Sequence, residues 1–377
     1  MNGTHDERHG AVNGIGRTGP ARPPGFTALP DLASRALGGS VVWANDEFFA
    51  EKENLVNPYP PTFTPATFTH KGQRYDGWET RRRRPGAPGV HGTEHDSAII
   101  RLGVPGVIRG VVVDTAHFLG NYPPHCSLEA AWCDGYPSPK KLAKADWQEI
   151  VAPHPLTGGA LHHLPVTGER RFTHVRLNML PDGGIARLRV HGEPVPDPDF
   201  LEGVTVNLAA LSDGARVIGC SDQFYGRPEN LLLPGLARTM GEGWENARRR
   251  GAGNDWVEIA LLGEGIVRIL ELDTTHFKGN APHKAAVRAA RLDSARPDAD
   301  GAPTARPTPT PDDWIDLLPA TKLRPDTLHR FLVADSPPVT HLRLDVFPDG
   351  GMARFRALGD LTPDAHEALT RRWKRTV

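Results

Sequence analysis

Cysteine is scarce in this chain: Cys126, Cys133 and Cys220 are the only three among 377 residues. Three thiols cannot build a disulfide framework, and no C-x-x-C spacing offers a zinc site. The fold must therefore be held by burial and hydrogen bonding, and a reducing cytoplasm is the expected compartment. No apolar run approaches the roughly 20 residues that a membrane-spanning helix needs. The segment before Pro24 is rich in Gly, Arg, His and Pro and has no apolar stretch, which argues against a secretory signal. Residues 1–27 are expected to be a disordered extension. A net charge of −1 gives no general attraction to nucleic acid or to an anionic membrane, so neither is an expected partner. Long helical patterns are missing too. In their place stand 40 Gly and 36 Pro, which cut the chain into short segments suited to strands and turns.

What the sequence does contain is itself, twice. Asp114-Thr115-Ala116-His117-Phe118-Leu119-Gly120-Asn121 recurs as Asp273-Thr274-Thr275-His276-Phe277-Lys278-Gly279-Asn280. The stretch from Thr173 to Gly192 recurs from Thr340 to Gly359. Upstream, Asp46-Glu47-Phe48-Phe49 is echoed by Asp222-Gln223-Phe224-Tyr225, and Gly77-Trp78-Glu79 with its following arginines by Gly243-Trp244-Glu245. Four blocks in one order mean an internal duplication of domain-sized units. The expected organisation is a first repeat over 28–193, a linker over 194–211 and a second repeat over 212–377. A loop dense in Pro, Ala and Asp is expected inside the second repeat at 291–311.

The periodicity is that of β-structure. Val175, Leu177 and Met179 alternate with His174, Arg176 and Asn178, as in a half-buried strand. Pro181-Asp182-Gly183-Gly184 reads as a turn, and Ala186, Leu188 and Val190 as a returning strand with Arg187 and Arg189 on its other face. Strands at Ile108–Val113 and Ile266–Leu272 run into the Asp-Thr-x-His-Phe blocks. Each repeat is expected to be an antiparallel jelly-roll β-sandwich, making the chain all-β with one short helix at the C-terminus. That helix takes Thr362 as its cap and Pro363 as its first residue.

Polar residues that recur at strand ends are the candidates for chemistry, because loops on a rigid sandwich usually carry function. Asp114 beside His117 is suited to orienting an imidazole for proton transfer; equally, Asp114 and Thr115 suit bonding of the turn backbone, with His117 structural. Asn121 can hydrogen-bond a ligand carbonyl. Glu79 stands next to Arg81 and Arg82, which suits an acid–base group beside guanidiniums gripping a carboxylate. A solvated basic loop with Glu79 in a salt bridge would look the same. Arg176 and Arg187, with counterparts Arg343 and Arg354, either reach a ligand or pair with Asp182 and Asp349 across the turn. The second-repeat equivalents of the other candidates are Glu245, Asp273, His276 and Asn280. His91, His95, His162 and His163 follow no established metal spacing, so no metal site or other cofactor is assigned, and metal dependence is left open.

Together these blocks resemble the allantoicases. The resemblance lies in Asn45-Asp46-Glu47-Phe48-Phe49, in Gly77-Trp78-Glu79-Thr80-Arg81-Arg82, in Asp114 through Pro124, and in Arg176-Leu177 with Pro181-Asp182-Gly183-Gly184-Ile185-Ala186-Arg187. The second repeat matches through Asp273 to Asn280 and Pro348-Asp349-Gly350-Gly351. The resemblance implies galactose-binding-like sandwiches, homo-oligomeric assembly, and hydrolysis of allantoate to ureidoglycolate and urea in purine degradation. For that substrate, the residues suggest Arg81 or Arg82 for the carboxylate, Glu79 or His117 for proton transfer, and Asn121 for a ureido group. Glu47 becomes Gln223 and His95 becomes Asn254, which makes the first repeat the stronger candidate for activity. Two other classes compete: a sandwich that binds sugars or small ligands without catalysis, and a scaffold using its repeats only for assembly.

Overall fold

A computed structural model describes residues 24–83, 94–292 and 309–377. The expected N-terminal extension lies outside the described residues up to position 23, as does the Pro-rich loop from 293 to 308.

The first repeat is built from β1 (Ser40–Ala44), β2 (Asp96–Asp114), β3 (His125–Ala131), β4 (Gln148–Pro155), β5 (Leu161–Pro165), β6 (Arg171–Leu180) and β7 (Arg187–Pro194). One sheet runs β1-β2-β6-β3-β4, and the second half of β2 pairs with β5 and β7 in the opposite layer. The 19 residues of β2 would span about 60 Å if straight. The strand instead turns between Arg101 and Gly106, where its register against β6 shifts. Gly103 and Gly106 sit there directly against the carbonyls of Leu37 and Glu193, where a Cβ would collide. The turn returns both ends of β2 to one end of the sandwich. Asp96 N donates to Pro181 O (2.9 Å) and Ala186 N donates to Asp114 O (2.8 Å).

The second repeat copies the plan with β8 (Arg216–Cys220), β9 (Asp255–Asp273), β10 (Lys284–Ala290), β11 (Ile315–Lys322), β12 (Leu328–Leu332), β13 (Val339–Phe347) and β14 (Arg354–Leu361). Its order is β8-β9-β13-β10-β11, with β12 and β14 on the second half of β9. The expected all-β, two-sandwich architecture is what the chain adopts. The alternation is honoured as well: Val175, Leu177 and Met179 are fully buried, as are Leu342, Leu344 and Val346. Burying each such side chain contributes about 1.5–3 kcal/mol.

Two readings need correction. The segments flanking Pro181–Gly184 are not partners in a hairpin: β6 pairs with β2 and β3, whereas β7 crosses to the second half of β2 in the other sheet. The Gly-Gly turn therefore joins the two layers over the edge of the sandwich. Nor does Arg187 face solvent across from the core, for the segment 57–76 folds over it and leaves it 1% exposed.

Within the stretch expected as a linker, Val206–Asn207 pairs with Leu358 and Gly359 of β14 and so joins the second sandwich. The C-terminal helix α1 (Pro363–Arg375) has the expected cap, with Ala365 N donating to Thr362 Oγ1. It reaches back to the first repeat, where Arg171 N donates to Thr376 O (2.7 Å) and Arg372 pairs with Glu193 (2.8 Å). The Arg171 guanidinium lies 4.4 Å from the Trp132 ring centroid and 3.6 Å from that of Trp373, an arrangement favourable to a desolvated cation.

Candidate functional site

The end of the first sandwich where both termini of β2 meet gathers the segments 45–50, 57–83, 114–122 and 181–186. Trp78–Glu79 forms a two-residue strand whose period turns Trp78 into the core and Glu79 outward. Trp78 is fully buried and its indole N–H donates to Asp46 O (2.7 Å). Glu79 pairs with Gly184 on one side and bridges to Ala50 on the other. Its backbone is thus fixed from both flanks, and its carboxylate accepts a hydrogen bond from Asn121 Nδ2 at 2.8 Å.

Asn121 is fixed by the Gly-Gly turn. Gly184 N donates to Asn121 O (2.7 Å), and a Cβ on Gly184 would run into the buried Phe118 ring. Gly183 has φ +144°, a conformation that favours glycine. The first glycine supplies the turn and the second the close approach. The second repeat reproduces the set: Asn280 Nδ2 donates to Glu245 Oε1 (2.6 Å), Gly351 N to Asn280 O (2.8 Å), and a Gly351 Cβ would meet Phe277.

Burial pushes the Glu79 carboxyl above the usual carboxylate range, against the lowering effects of the Asn121 hydrogen bond and the Arg82 charge. The arginines divide by role. Arg81 is tied to Asp46 through backbone and guanidinium (N to Oδ2, 2.6 Å; Nη2 to Oδ1, 3.1 Å), and Ala247 takes its place in the second repeat, donating only its backbone N–H to Asp222. Arg83 and Arg249 pair with the buried Asp96 and Asp255. Arg82 and Arg248 are exposed and have no hydrogen-bond or ion-pair partner among the described residues.

Other candidates are engaged in the scaffold. Asp114 Oδ1 accepts Ala116 N (2.8 Å) and Thr115 Oγ1 donates to Thr157 O (2.6 Å). The Asp114 carboxylate thus closes its own turn. His117 Nε2 lies 3.3 Å from Pro61 O, its ring stacked on Phe63 at 5.5 Å. His276 Nε2 lies 2.9 Å from Ala237 O, and Asp273 Oδ1 accepts Thr275 N (2.9 Å). His117 and His276 have φ +70° and +73°. Each is the third residue of a turn closed by Phe118 N to Thr115 O or Phe277 N to Thr274 O, a place usually given to Gly or Asn. Arg176 pairs with Glu129 under Trp147, and Arg343 with Glu258 and Asp345 over Trp256. Arg187 pairs with Asp76 (2.8 Å) and Arg354 bonds carbonyls of Gly235, Glu242 and Ala353. None of the four meets the turn aspartates. Asp182 and Asp349 instead accept the backbone N–H of Arg83 and Arg249.

Sequence reasoning passed over Asp46, Tyr59 and Asp76. Asp46 recurs as Asp222, a signal that was available. Asp76 and Glu242 each precede a Gly-Trp-Glu, an acidic match hidden by the change of residue. Among the described residues, no group of three His, Cys, Asp or Glu is placed to hold a metal ion, and no helix is long and apolar enough to cross a membrane.

The family model described as the allantoicase repeat matches residues 30–195 and 206–362. A probable allantoicase of Nocardia farcinica is 55% identical over 341 residues, covering 90% of this chain and 96% of that protein. A probable allantoicase of Streptomyces avermitilis is 46% identical, covering 93% and 90%. The crystal structure of allantoicase from Saccharomyces cerevisiae superposes with a TM-score of 0.72 at 34% identity, covering 89% of this chain and 96% of that one.

Proposed function

The chain belongs to the allantoicase family, and from that premise we infer the chemistry of its paired sites. It is a hydrolase that converts allantoate and water to ureidoglycolate and urea. The observation that carries the placement of the site is the glutamate–asparagine contact, made once in each repeat by equivalent residues at 2.8 and 2.6 Å.

Allantoate bears a carboxylate and two ureido groups on one carbon. In our reading Arg82 and Arg248 grip the carboxylate, each having a planar fork of donors without a hydrogen-bond or ion-pair partner among the described residues. The remaining ureido nitrogen pushes its lone pair toward the central carbon as the C–N bond to the departing urea breaks. Protonated Glu79 supplies the proton that urea carries away. Water then adds to the resulting C=N bond, and the Glu79 carboxylate takes the water's proton, so the acid is regenerated. A carboxyl raised by burial is suited to this two-way duty near neutral pH. Asn121 orients Glu79 through one N–H and keeps its carbonyl oxygen for a ureido N–H. His117 and Asp114 act from behind, holding the turn that presents Asn121.

This reading uses side chains alone. Glu47, which differs between repeats, bonds Lys52 and does not touch the Glu79–Asn121 pair. Both repeats therefore keep the proposed constellation. We further propose that copies of the chain associate and that it works in a reducing cytoplasm; mass measurement in solution tests the first. Purified chain given allantoate should release urea and ureidoglycolate in equal amounts. Saccharide binding without urea release would instead support a non-catalytic sandwich.

A further inference from the structure

Apart from the contacts of α1 with the first repeat, the two repeats meet at a polar junction whose chemistry the duplication does not explain. Tyr59 of the first repeat donates its hydroxyl hydrogen bond to Glu242 of the second, and Arg238 Nη2 donates to the same hydroxyl at 3.1 Å. Arg238 also grips Glu242 directly (Nε to Oε1, 2.8 Å; backbone N to Oε2, 2.7 Å). Tyr59, Arg238, Thr239, Gly241 and Glu242 line an open cleft of about 580 Å³ between the repeats.

The loop 237–242 that forms one wall of this cleft also forms the back of the second site. Ala237 O accepts His276 Nε2 (2.9 Å), and Met240 Sδ accepts Asn280 Nδ2 (3.2 Å), the same amide that holds Glu245. In the first repeat the matching carboxylate, Asp76, turns inward to the buried Arg187 and caps Thr62 N at 2.9 Å. Glu242, one methylene longer, turns outward to the junction. Arg354 is left with backbone carbonyls as its hydrogen-bond acceptors. The loop of the first site is therefore anchored within its own repeat, while that of the second, held to its own repeat by Arg354 and Arg356, is tied in addition to a residue of the other repeat.

We propose that Tyr59 is a positioning residue for the second repeat's site: through Glu242 and Arg238 it sets the loop that holds Asn280 against Glu245. The first repeat thereby completes the second repeat's site, whereas the first site's loop has an anchor of its own in Asp76, bound to Arg187 and Thr62. The proposal rests on reading Glu245–Asn280 as a catalytic pair.

The test uses full-length chain in two backgrounds, Glu79→Gln, which leaves only the second site, and Glu245→Gln, which leaves only the first. Tyr59→Phe keeps the ring and the backbone carbonyl but removes the hydroxyl; Glu242→Gln keeps the backbone and removes the charge. Each should lower kcat about tenfold in the Glu79→Gln background with KM nearly constant, as expected when a catalytic group is misplaced rather than a binding group lost. Neither should change kcat in the Glu245→Gln background by more than about twofold. Equal effects in both backgrounds, or none in either, would overturn the coupling. Urea release surviving in the Glu79→Gln/Glu245→Gln double variant would refute the catalytic pairs themselves, a different failure read from a different protein.

Discussion

Replacing Glu79 and Glu245 by Gln tests the site most directly, because Gln keeps the oxygen that accepts the Asn121 or Asn280 amide and removes only proton transfer. General acid–base catalysis contributes about 10²–10⁴-fold. With the two sites contributing equally to turnover, each single variant retains about half of it and the double variant about a hundredth or less. Stability should move the other way for Glu79. Burial raises its carboxyl above the value of 4.5 expected in the unfolded chain. Its contribution to stability is present below that unfolded value and is lost as pH rises through the raised native one. Glu79→Gln should therefore stabilise at pH 7 and change nothing at pH 4. The group is partly exposed, so solvent screening holds the gain to at most about 1 kcal/mol, or roughly 2 °C in Tm. Urea release by a coupled assay and thermal unfolding at the two pH values read both effects. A folded double variant retaining more than about a tenth of wild-type turnover would refute the assignment.

The other expectations are as follows. Arg82→Ala with Arg248→Ala should raise KM for allantoate about 30- to 150-fold with kcat little changed, since a charge-assisted pair contributes about 2–3 kcal/mol. Arg81→Ala should do far less, and steady-state kinetics separate the cases. His174 is pushed down to about 4 by burial, assisted by the Arg101 charge. The native state then binds fewer protons than the unfolded chain between that value and 6.5, so stability falls as pH drops through this window, by up to about 3 kcal/mol. His174→Gln should flatten that slope in urea titrations at pH 5 and 7. Gly184→Ala drives a methyl into the Phe118 ring, costing about 1–3 kcal/mol, and shifts Asn121 through the Gly184 N to Asn121 O bond; loss of turnover beyond the loss of folded protein checks the second effect.

The strands and the duplication were legible because alternation and repetition are local signals. Val175, Leu177 and Met179 announced a buried face without help from tertiary structure. The layer change after β6 was not legible. Pro181-Asp182-Gly183-Gly184 has the composition of a hairpin turn, and it is the pairing of β6 and β7 with different halves of β2 that shows the chain passing over an edge. The site divided likewise. Glu79, Asn121 and Arg82 could be named from recurrence, but Arg81, Arg82 and Arg83 are indistinguishable in a run of arginines. What separates them is the location of Asp46 and Asp96, each remote in sequence. Asp114 and His117, three residues apart in the chain, looked like a proton relay. The turn aims one at its own backbone and the other at Pro61.

Duplication also explains which features stayed constant. The Glu–Asn contact rests on a Gly-Gly turn, a buried Phe and a buried Trp, each supplied within one repeat, so both copies keep the contact itself. The carboxylate before Gly-Trp-Glu faces different surroundings in the two copies. In the first it neutralises a fully buried arginine; in the second it meets a tyrosine across a junction that could exist only after the repeats were joined. One methylene, Asp76 against Glu242, suffices to change the partner, because the shorter side chain reaches inward to Arg187 and the longer one outward to Tyr59. Arg354 then remains a buried cation whose desolvation lowers its pKa and whose hydrogen bonds go to carbonyls alone. Glu242 and Asp273 act on it through charge without a direct ion pair, and a buried charge so held keeps much of its desolvation cost. That cost falls in the repeat whose loop is tied to its neighbour, which is where a dependence of one site on the other repeat would be built.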